Sequence, residues 1–482
     1  MAGAAKPYAG ERLLSVNVGF TLALIFACFT LASTSYLAWL YRIIELAPTA
    51  PSDVITMVGG YSFQAVGIAA ACALMRARPD FAGQIPFITA IAIHFACAAA
   101  TILASTPEAL VALGFAMNFL YGIVCAFYLH RLARWVPRNR RGIALGAGYA
   151  CSIVTTWAMT ALQNGTPLAP TDSIIACAVL SLVAIGIAAY PHSALQPGAM
   201  PTGTAASANG IVAPPSDGNA GGTAHSAASI LSIACFTVLL LSLVKNVGFG
   251  FPSADLLEGV SLESSRLFYA AGLIIAGIIA DTKRKYAALC CIAALVFPFA
   301  CLALSNEPVS GSILWAADYL FYGFFTVYRI VLFCDLAESS QREHLAGFGQ
   351  LFGRIGDAAG TAICFSLADS TIALVAVAAV LFAATVFAFY QLFVRLYPTH
   401  TTIHKTPEER LAMFAARYDL SIRERDVLRL VVDGRTNAEA ASELFIVEST
   451  VKYHVHNLLK KTDCTSRREL IAKYHREADD AR

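Results

Sequence analysis

The chain has 482 residues, of which 57% are hydrophobic and only 14% charged. Soluble domains are nearer half apolar and a quarter charged, so this composition excludes an ordinary soluble globular protein and points to membrane helices. The net charge of +2 is too small to imply a polyanionic partner for the chain as a whole, but charge is concentrated at the C-terminal end. After His404 the sequence carries 15 Lys/Arg and 14 Asp/Glu, an ordinary density for a small soluble domain. The 13 cysteines are scattered, without Cys-x-x-Cys or Cys/His spacing, and read as small apolar side chains.

A bilayer core takes about 20 apolar residues per helix. In chain order, segments of that kind fall near 15–41, 53–75, 84–105, 108–130, 142–163, 172–190, 229–251, 264–280, 287–304, 313–335, 345–369 and 371–396. The first is long enough to span and lacks a cleavage pattern, so it reads as a retained helix. With both termini inside, the inner loops hold Lys6, Arg12, Arg76, Arg78, Arg131, Arg134, Arg138, Arg140, Arg141, Lys283, Arg284, Lys285 and Arg342, and the outer ones only Arg42 and Arg266. That asymmetry fits twelve spans under the positive-inside rule. Between the sixth and seventh, residues 191–228 are rich in Gly, Pro, Ala and Ser without Lys or Arg, the composition of a disordered linker. Six spans on either side is the layout of transporters built from two similar halves.

Local stretches carry a resemblance. GIIADTKRKY from Gly277 resembles the Gly-x-x-x-Asp-Arg/Lys loop of the major facilitator superfamily. VPRNRRGIALGAGYA from Val136 resembles the entry to that family's fifth helix, and REHLAGFGQLFGRIG from Arg342 echoes it in the second half. The equivalent first-half loop, RARPDFAGQ from Arg76, departs from the pattern. The resemblance implies a transporter-like bundle whose seventh, tenth and eleventh spans line a central cavity. Charges within spans are costly and tend to mark function, and Lys245, Asp318, Arg329, Arg354 and Asp357 lie within those three. Lys245 and Asp318 are matched in depth, each roughly 7–9 Å outward of the midplane at the helical rise. The five form a candidate pocket for an anionic or polar aromatic small molecule, or a set of structural ion pairs. His94, alone on an apolar span, reads as an interior histidine with its polar needs met. No nucleophile–base set, phosphate loop or metal spacing is present, so neither enzymatic activity, cofactor nor metal is expected.

The polar stretch PTHTTIHKTPEER, within a connector placed at 398–412, leads to a soluble helical pattern over 413–482. Ser421 caps a helix with Val427, Leu428, Leu430 and Val431 on its apolar face, and Gly434 stops it. Asn437 is the expected cap of the next helix. TVKYHVHNLLKK from Thr450 then places Val451, Val455, Leu458 and Leu459 on one face and Lys452, Tyr453, His456 and Lys460 on the other. Ser466 caps a fourth helix. Two helices joined by a tight turn, the second with a polar face, form a helix-turn-helix.

These residues resemble the LuxR-type DNA-binding domain. Its frame is matched by Ser421, Arg423, Glu424, Val427 and Leu428; by Gly434, Thr436, Asn437 and Ala441; by Thr450, Val451, Lys452 and His454; and by Ser466, Arg467, Glu469 and Leu470. The resemblance implies base contacts from Lys452, Tyr453 and His456, phosphate contacts from Arg435, Asn437, Thr450, Lys460 and Lys461, and dimerisation through the last helix on a two-fold site in double-stranded DNA. Two positions depart from the family: Ala440, where Ile is usual, and Val447, where Ser or Thr is usual. They imply thinner packing and a lost cap.

The expected fold is all-α: a 6+6 transmembrane bundle, with halves at 1–190 and 229–397, followed by a four-helix DNA-binding domain. The expected function is a one-component transcriptional regulator in the bacterial inner membrane, both termini cytoplasmic, whose membrane half senses a small molecule. The alternative is a secondary transporter with a fused regulatory tail.

Overall fold

A computed structural model describes residues 9–163, 168–190, 220–249, 262–296, 308–397 and 407–480. Among them every regular element is helical. Two compact units divide the chain, Met1–Pro398 and Thr399–Arg482, and each is described by itself.

The first unit contains α1 (Ala9–Leu46), α2 (Tyr61–Ala77), α3 (Gln84–Ile102), α4 (Pro107–Trp135), α5 (Arg141–Ala161), α6 (Pro170–Ala189), α7 (Ala220–Phe249), α8 (Leu262–Thr282), α9 (Arg284–Ala294), α10 (Pro308–Ser339), α11 (Phe348–Ser366) and α12 (Thr371–Leu396). Nine helical stretches among the described residues are long and apolar enough to cross a membrane, on α1–α7, α10 and α12. The other three fall short for local reasons. The segment after Val296, where the ninth span was expected to continue, lies outside the described residues, as do 250–261 before α8. In α11, Gln350, Arg354, Asp357 and four glycines lower the hydropathy. The expected linker lies outside the described residues up to position 219, and α7 begins at Ala220, nine residues before the span expected there.

Helix ends follow side-chain chemistry. Thr106 accepts from the Ala109 amide at 3.3 Å, with Pro107 opening α4. Ser370 does the same for Ala373 at 3.3 Å, which divides α11 from α12 at the Asp369–Ser370 gap. Each such cap satisfies an amide donor that helix geometry leaves unpaired.

The packing repeats with an offset of six. In the first half α1 packs on α5 and α6, α2 on α4, and α3 on α4; in the second half α7 packs on α11 and α12, α8 on α10, and α9 on α10. The halves meet through α5 against α8 and α2 against α11, a pair of contacts related by the same offset. At the first, Gly142 and Gly277 let the backbones touch: a Cβ on Gly142 would lie 2.5 Å from the Gly277 carbonyl oxygen. Asp281, in the last turn of α8 and within the stretch that resembles the major-facilitator motif, accepts from the Gly142 and Ile143 amides at 2.7 Å each. Its carboxylate therefore caps the start of α5 in the other half, where the helix dipole favours negative charge.

Beside it lies an ionic cluster that no single sequence feature marks. Asp335 of α10, 2% exposed, pairs with Arg141 (2.8 Å), Arg284 (2.9 Å) and Arg138 (3.2 Å). Arg141 also reaches Glu338 at 2.8 Å, and Arg284 donates to the Arg138 carbonyl. Arginines that the sequence presents as loop charges are thus used inside the protein.

The second unit has five helices where four were expected: α13 (Pro407–Arg417), α14 (Ile422–Val432), α15 (Asn437–Glu443), α16 (Glu448–Lys461) and α17 (Arg467–Asp480). The additional helix is α13, which begins inside the expected connector. Leu411 and Phe414, spaced i and i+3, bury its inner face against Val427, Leu428, Val431, Leu470 and Tyr474. Burying a Leu or Phe side chain contributes up to about 1.5–3 kcal/mol, enough to hold a short helix with little intrinsic stability.

Candidate functional site

In the first unit, four of the five predicted in-span charges converge. Asp357 on α11 receives Lys245 Nζ of α7 on Oδ1 at 2.7 Å, and Arg329 of α10 and Arg354 of its own helix on Oδ2 at 3.2 and 3.5 Å. All four side chains are buried or nearly so. The pairing of Lys245 with Asp318, suggested by matched depth, does not form. Asp318 is buried on α10, without an ion pair among the described residues. Helix rotation explains the change: Lys245 extends toward α11, where its ammonium also lies 4.2 Å from the Tyr322 ring centre. Asn246 ties the same helices together, donating to the Asp357 carbonyl at 2.7 Å and to Thr361 Oγ1 at 2.9 Å. The cluster also draws on the first half, because the Arg354 guanidinium carbon stands 4.2 Å from the centre of the Tyr61 ring on α2. Nothing in the sequence around Tyr61 marks that role. His94 is buried on α3 with Nδ1 3.2 Å from the Met117 carbonyl oxygen.

In the second unit, α14, α15 and α16 build the expected helix-turn-helix frame. Ser421 and Glu424 form a reciprocal capping box at the start of α14: Ser421 Oγ accepts from the Glu424 amide, and Glu424 Oε2 accepts from the Ser421 amide at 2.7 Å. A second box caps α15, and its cap is Thr436, one residue before the Asn437 expected; Glu439 answers it at 2.7 Å. Asn437 instead accepts from Arg467 at 2.9 Å, joining α15 to α17. Gly434, at φ +79°, makes the turn after α14 in a region that favours glycine. At the start of α16, Val447 provides no side-chain cap, as the departure from the family implies. Ser466 accepts from the Glu469 amide at 3.3 Å ahead of α17.

Helix α16 is sorted as its periodicity predicts. Val451 and Leu458 are fully buried, Val455 and Leu459 half-buried. Lys452, Tyr453, His456 and Lys460 are exposed on the opposite face, and Thr450 is half-buried near the start. Lys452 is steadied by Glu448 one turn before it, at 2.9 Å between two exposed side chains, a pairing water can readily displace. Arg435 lies exposed beside Glu443. Lys461 is engaged within the domain, donating to the Asp419 carbonyl and to Glu424, each at 2.8 Å. Burial opposes charge on Glu424, yet the Lys461 ammonium and the Ser421 amide hold its carboxyl below its ordinary value. The hydrogen bonds from Thr436 do the same for the exposed Glu439. The arrangement presents a helix with a polar, partly cationic face on a domain whose capping and packing hold it in place.

Residues 419–474 match the family described as "Bacterial regulatory proteins, luxR family". Among curated proteins, the chain is 50% identical over 50 residues to the "Uncharacterized transcriptional regulatory protein YhcZ" of Bacillus subtilis (strain 168), covering 10% of this chain and 23% of that protein. It is 47% identical over 58 residues to the "Nitrate/nitrite response regulator protein NarL" of Escherichia coli (strain K12), covering 12% and 27%. It is 38% identical over 60 residues to the "Spore germination protein GerE" of Bacillus subtilis (strain 168), covering 12% of this chain and 81% of that protein. The chain thus spans about a quarter of the length of the first curated relatives it matches, and these likenesses fall on its C-terminal domain. Domains of this type bind DNA, and through this one the chain belongs to the luxR family of bacterial regulatory proteins.

Proposed function

We propose that this protein is a one-component transcriptional regulator held in the bacterial inner membrane, with both termini cytoplasmic and a transporter-like unit that senses a small molecule. The observation that carries the reading is the union, in one chain, of a LuxR-type domain with, among the described residues, nine helices of membrane-spanning length and polarity. The offset-of-six packing and the basic inner loops support a 6+6 bundle in the manner of the major facilitator superfamily. In the DNA-binding unit, Lys452, Tyr453 and His456 read base edges in the major groove. Arg435, Asn437, Thr450, Lys460 and Lys461 lie toward phosphates, which set affinity and register. Lys461 and Asn437 do so only by releasing the internal partners described above. The domain binds a two-fold site as a homodimer through α17. A ligand changes the output to the extent that it prefers one arrangement of the membrane unit over another.

Chromatin immunoprecipitation of tagged full-length protein, beside a Lys452→Ala/His456→Ala variant and with membrane fractionation of both, tests this reading. The expected result is discrete peaks in membrane-located protein that vanish in the variant. Equal signals from the two proteins would reject DNA reading by this face. The alternative of a secondary transporter with a regulatory tail is favoured by one observation, the buried charges between α7, α10 and α11, which suit a transported ion equally well. Ligand uptake into sealed vesicles separates the two.

A further inference from the structure

Three cations surround Asp357, and the charges around them do not balance. Lys245, Arg329 and Arg354 carry three positive charges; Asp357 and the buried Asp318, which feels the Lys245 charge, carry at most two negative ones. The described residues therefore leave an excess of at least one positive charge where burial makes an uncompensated charge costly. The donors point the same way. Each arginine uses Nη1 on Asp357, while Arg329 Nε and Arg354 Nε are buried without a hydrogen bond among the described residues. Nε lies on the edge of a guanidinium that grips a carboxylate through two parallel hydrogen bonds. Asp357 itself already accepts Lys245 on Oδ1, Arg354 on Oδ2 and Arg329 on both.

The surroundings indicate what the charge is attached to. Arg354 lies over the Tyr61 ring, and Tyr61 stacks on Tyr36 with ring centres 6.3 Å apart and planes 17° from parallel. A π-helical stretch, Val54–Gly60, runs directly into Tyr61 and packs on α11. Such stretches are rare and concentrate at functional sites. Aromatic surface from the first half thus adjoins unsatisfied guanidinium edges from the second.

We infer that the membrane unit binds a monoanionic carboxylate on a flat, aromatic body, with Arg354 and Arg329 taking the carboxylate and the edge of the half-buried Tyr61 meeting the ring. This deepens, and rests on, the reading of that unit as a sensor. One negative charge neutralises the excess, whereas a neutral ligand leaves it and a cation adds to it. Because Tyr61 and Arg354 belong to different halves, the ligand joins them.

The test is fluorine NMR saturation transfer on full-length protein in lipid nanodiscs. Its probes are 4-fluorobenzoate, 4-fluorobenzamide and 4-fluorobenzylamine, matched in shape and differing in charge. Saturation transfer is expected with millimolar benzoate only. Arg354→Gln should weaken it by at least about tenfold, the size of a lost charged hydrogen bond, and Tyr61→Ala should weaken it severalfold. Lys452→Ala should leave it unchanged. If Arg354→Gln is not monodisperse, Arg354→Lys decides, since it keeps the charge and loses the fork, and weaker binding is expected. The inference is overturned by equal binding of the amide or amine, by benzoate binding that survives both Arg354 substitutions, or by no benzoate signal. The assay contains no DNA, so such a result leaves the regulator reading to stand or fall on the immunoprecipitation.

Discussion

The two units use charge in opposite ways. In the first unit, with its long apolar helices, the acidic hubs are hidden, Asp335 and Asp357 each at 2% side-chain exposure, with arginine and lysine drawn in around them. In the DNA-binding unit, Lys452 is 63% exposed and its neighbours on that face look outward. The difference teaches where information lies in each kind of sequence. A charge in an apolar span costs so much that its existence is informative before any partner is known. A charge in a small soluble domain is the default, and only its spacing against the buried face distinguishes a reading helix from a solvated one.

That contrast can be broken at several points. The largest effect is expected from Asp357→Ala, which leaves three buried cations without their common partner. Breaking buried pairs costs about 3–5 kcal/mol, so purified full-length protein in detergent should melt well below the wild type. An unchanged melting curve would mean that the charges relax into water. Lys452→Ala should do the reverse. Affinity for a target site falls by about 1–3 kcal/mol when a base contact is lost, while unfolding shifts by no more than about 0.5 kcal/mol. Fluorescence anisotropy with labelled DNA and a parallel melt measure both.

Smaller effects sharpen the picture within the DNA-binding unit. Ser421→Ala removes one arm of a capping box and should cost about 1 kcal/mol, read from the thermal transition of this unit. Glu424 makes that stability pH-dependent. Its folded value lies below the ordinary 4.5, so its contribution is complete above pH 4.5 and disappears as the pH falls through the folded value. Glu424→Gln should flatten the melting temperature against pH in that acid range, and an unaltered slope would shift the effect to other carboxylates. Val447→Ser supplies the missing cap of α16 and should stabilise by about 0.5–1 kcal/mol. Failure to gain would show that the turn holds the backbone away from capping geometry.

Much of this organisation was legible in the sequence because it rests on local patterns. The faces of α16 follow from the spacing of Val451, Val455 and Leu458, and Ser421 and Glu424 form their box because a cap needs only three residues of context. The convergence of Lys245, Arg329, Arg354 and Asp357 was legible as well, since each is conspicuous in an apolar helix. Partnership was not. Depth suggested Lys245 with Asp318, but helix rotation gave Lys245 to Asp357. Arg141 and Arg284 were hidden for a different reason: near helix ends they look like topology signals, and only the placement of Asp335 turns them inward. The helix holding Leu411 and Phe414 was missed because two apolar residues in a polar stretch give too little periodicity.

The six-helix offset in packing has a consequence for how the protein tolerates change. Equivalent helices in the two halves share a scaffold but not a chemistry. Where the second half joins α10 to α11 through Arg329 and Asp357, the first joins α4 to α5 through a neutral bond, Tyr128 to Tyr149 at 2.7 Å. A saturation mutagenesis map of the membrane unit should therefore be lopsided. Around Tyr128 and Tyr149, conservative swaps that keep shape should survive one at a time. Around Asp357, single changes should be lost, and survivors should appear as compensating pairs that restore the count of charges.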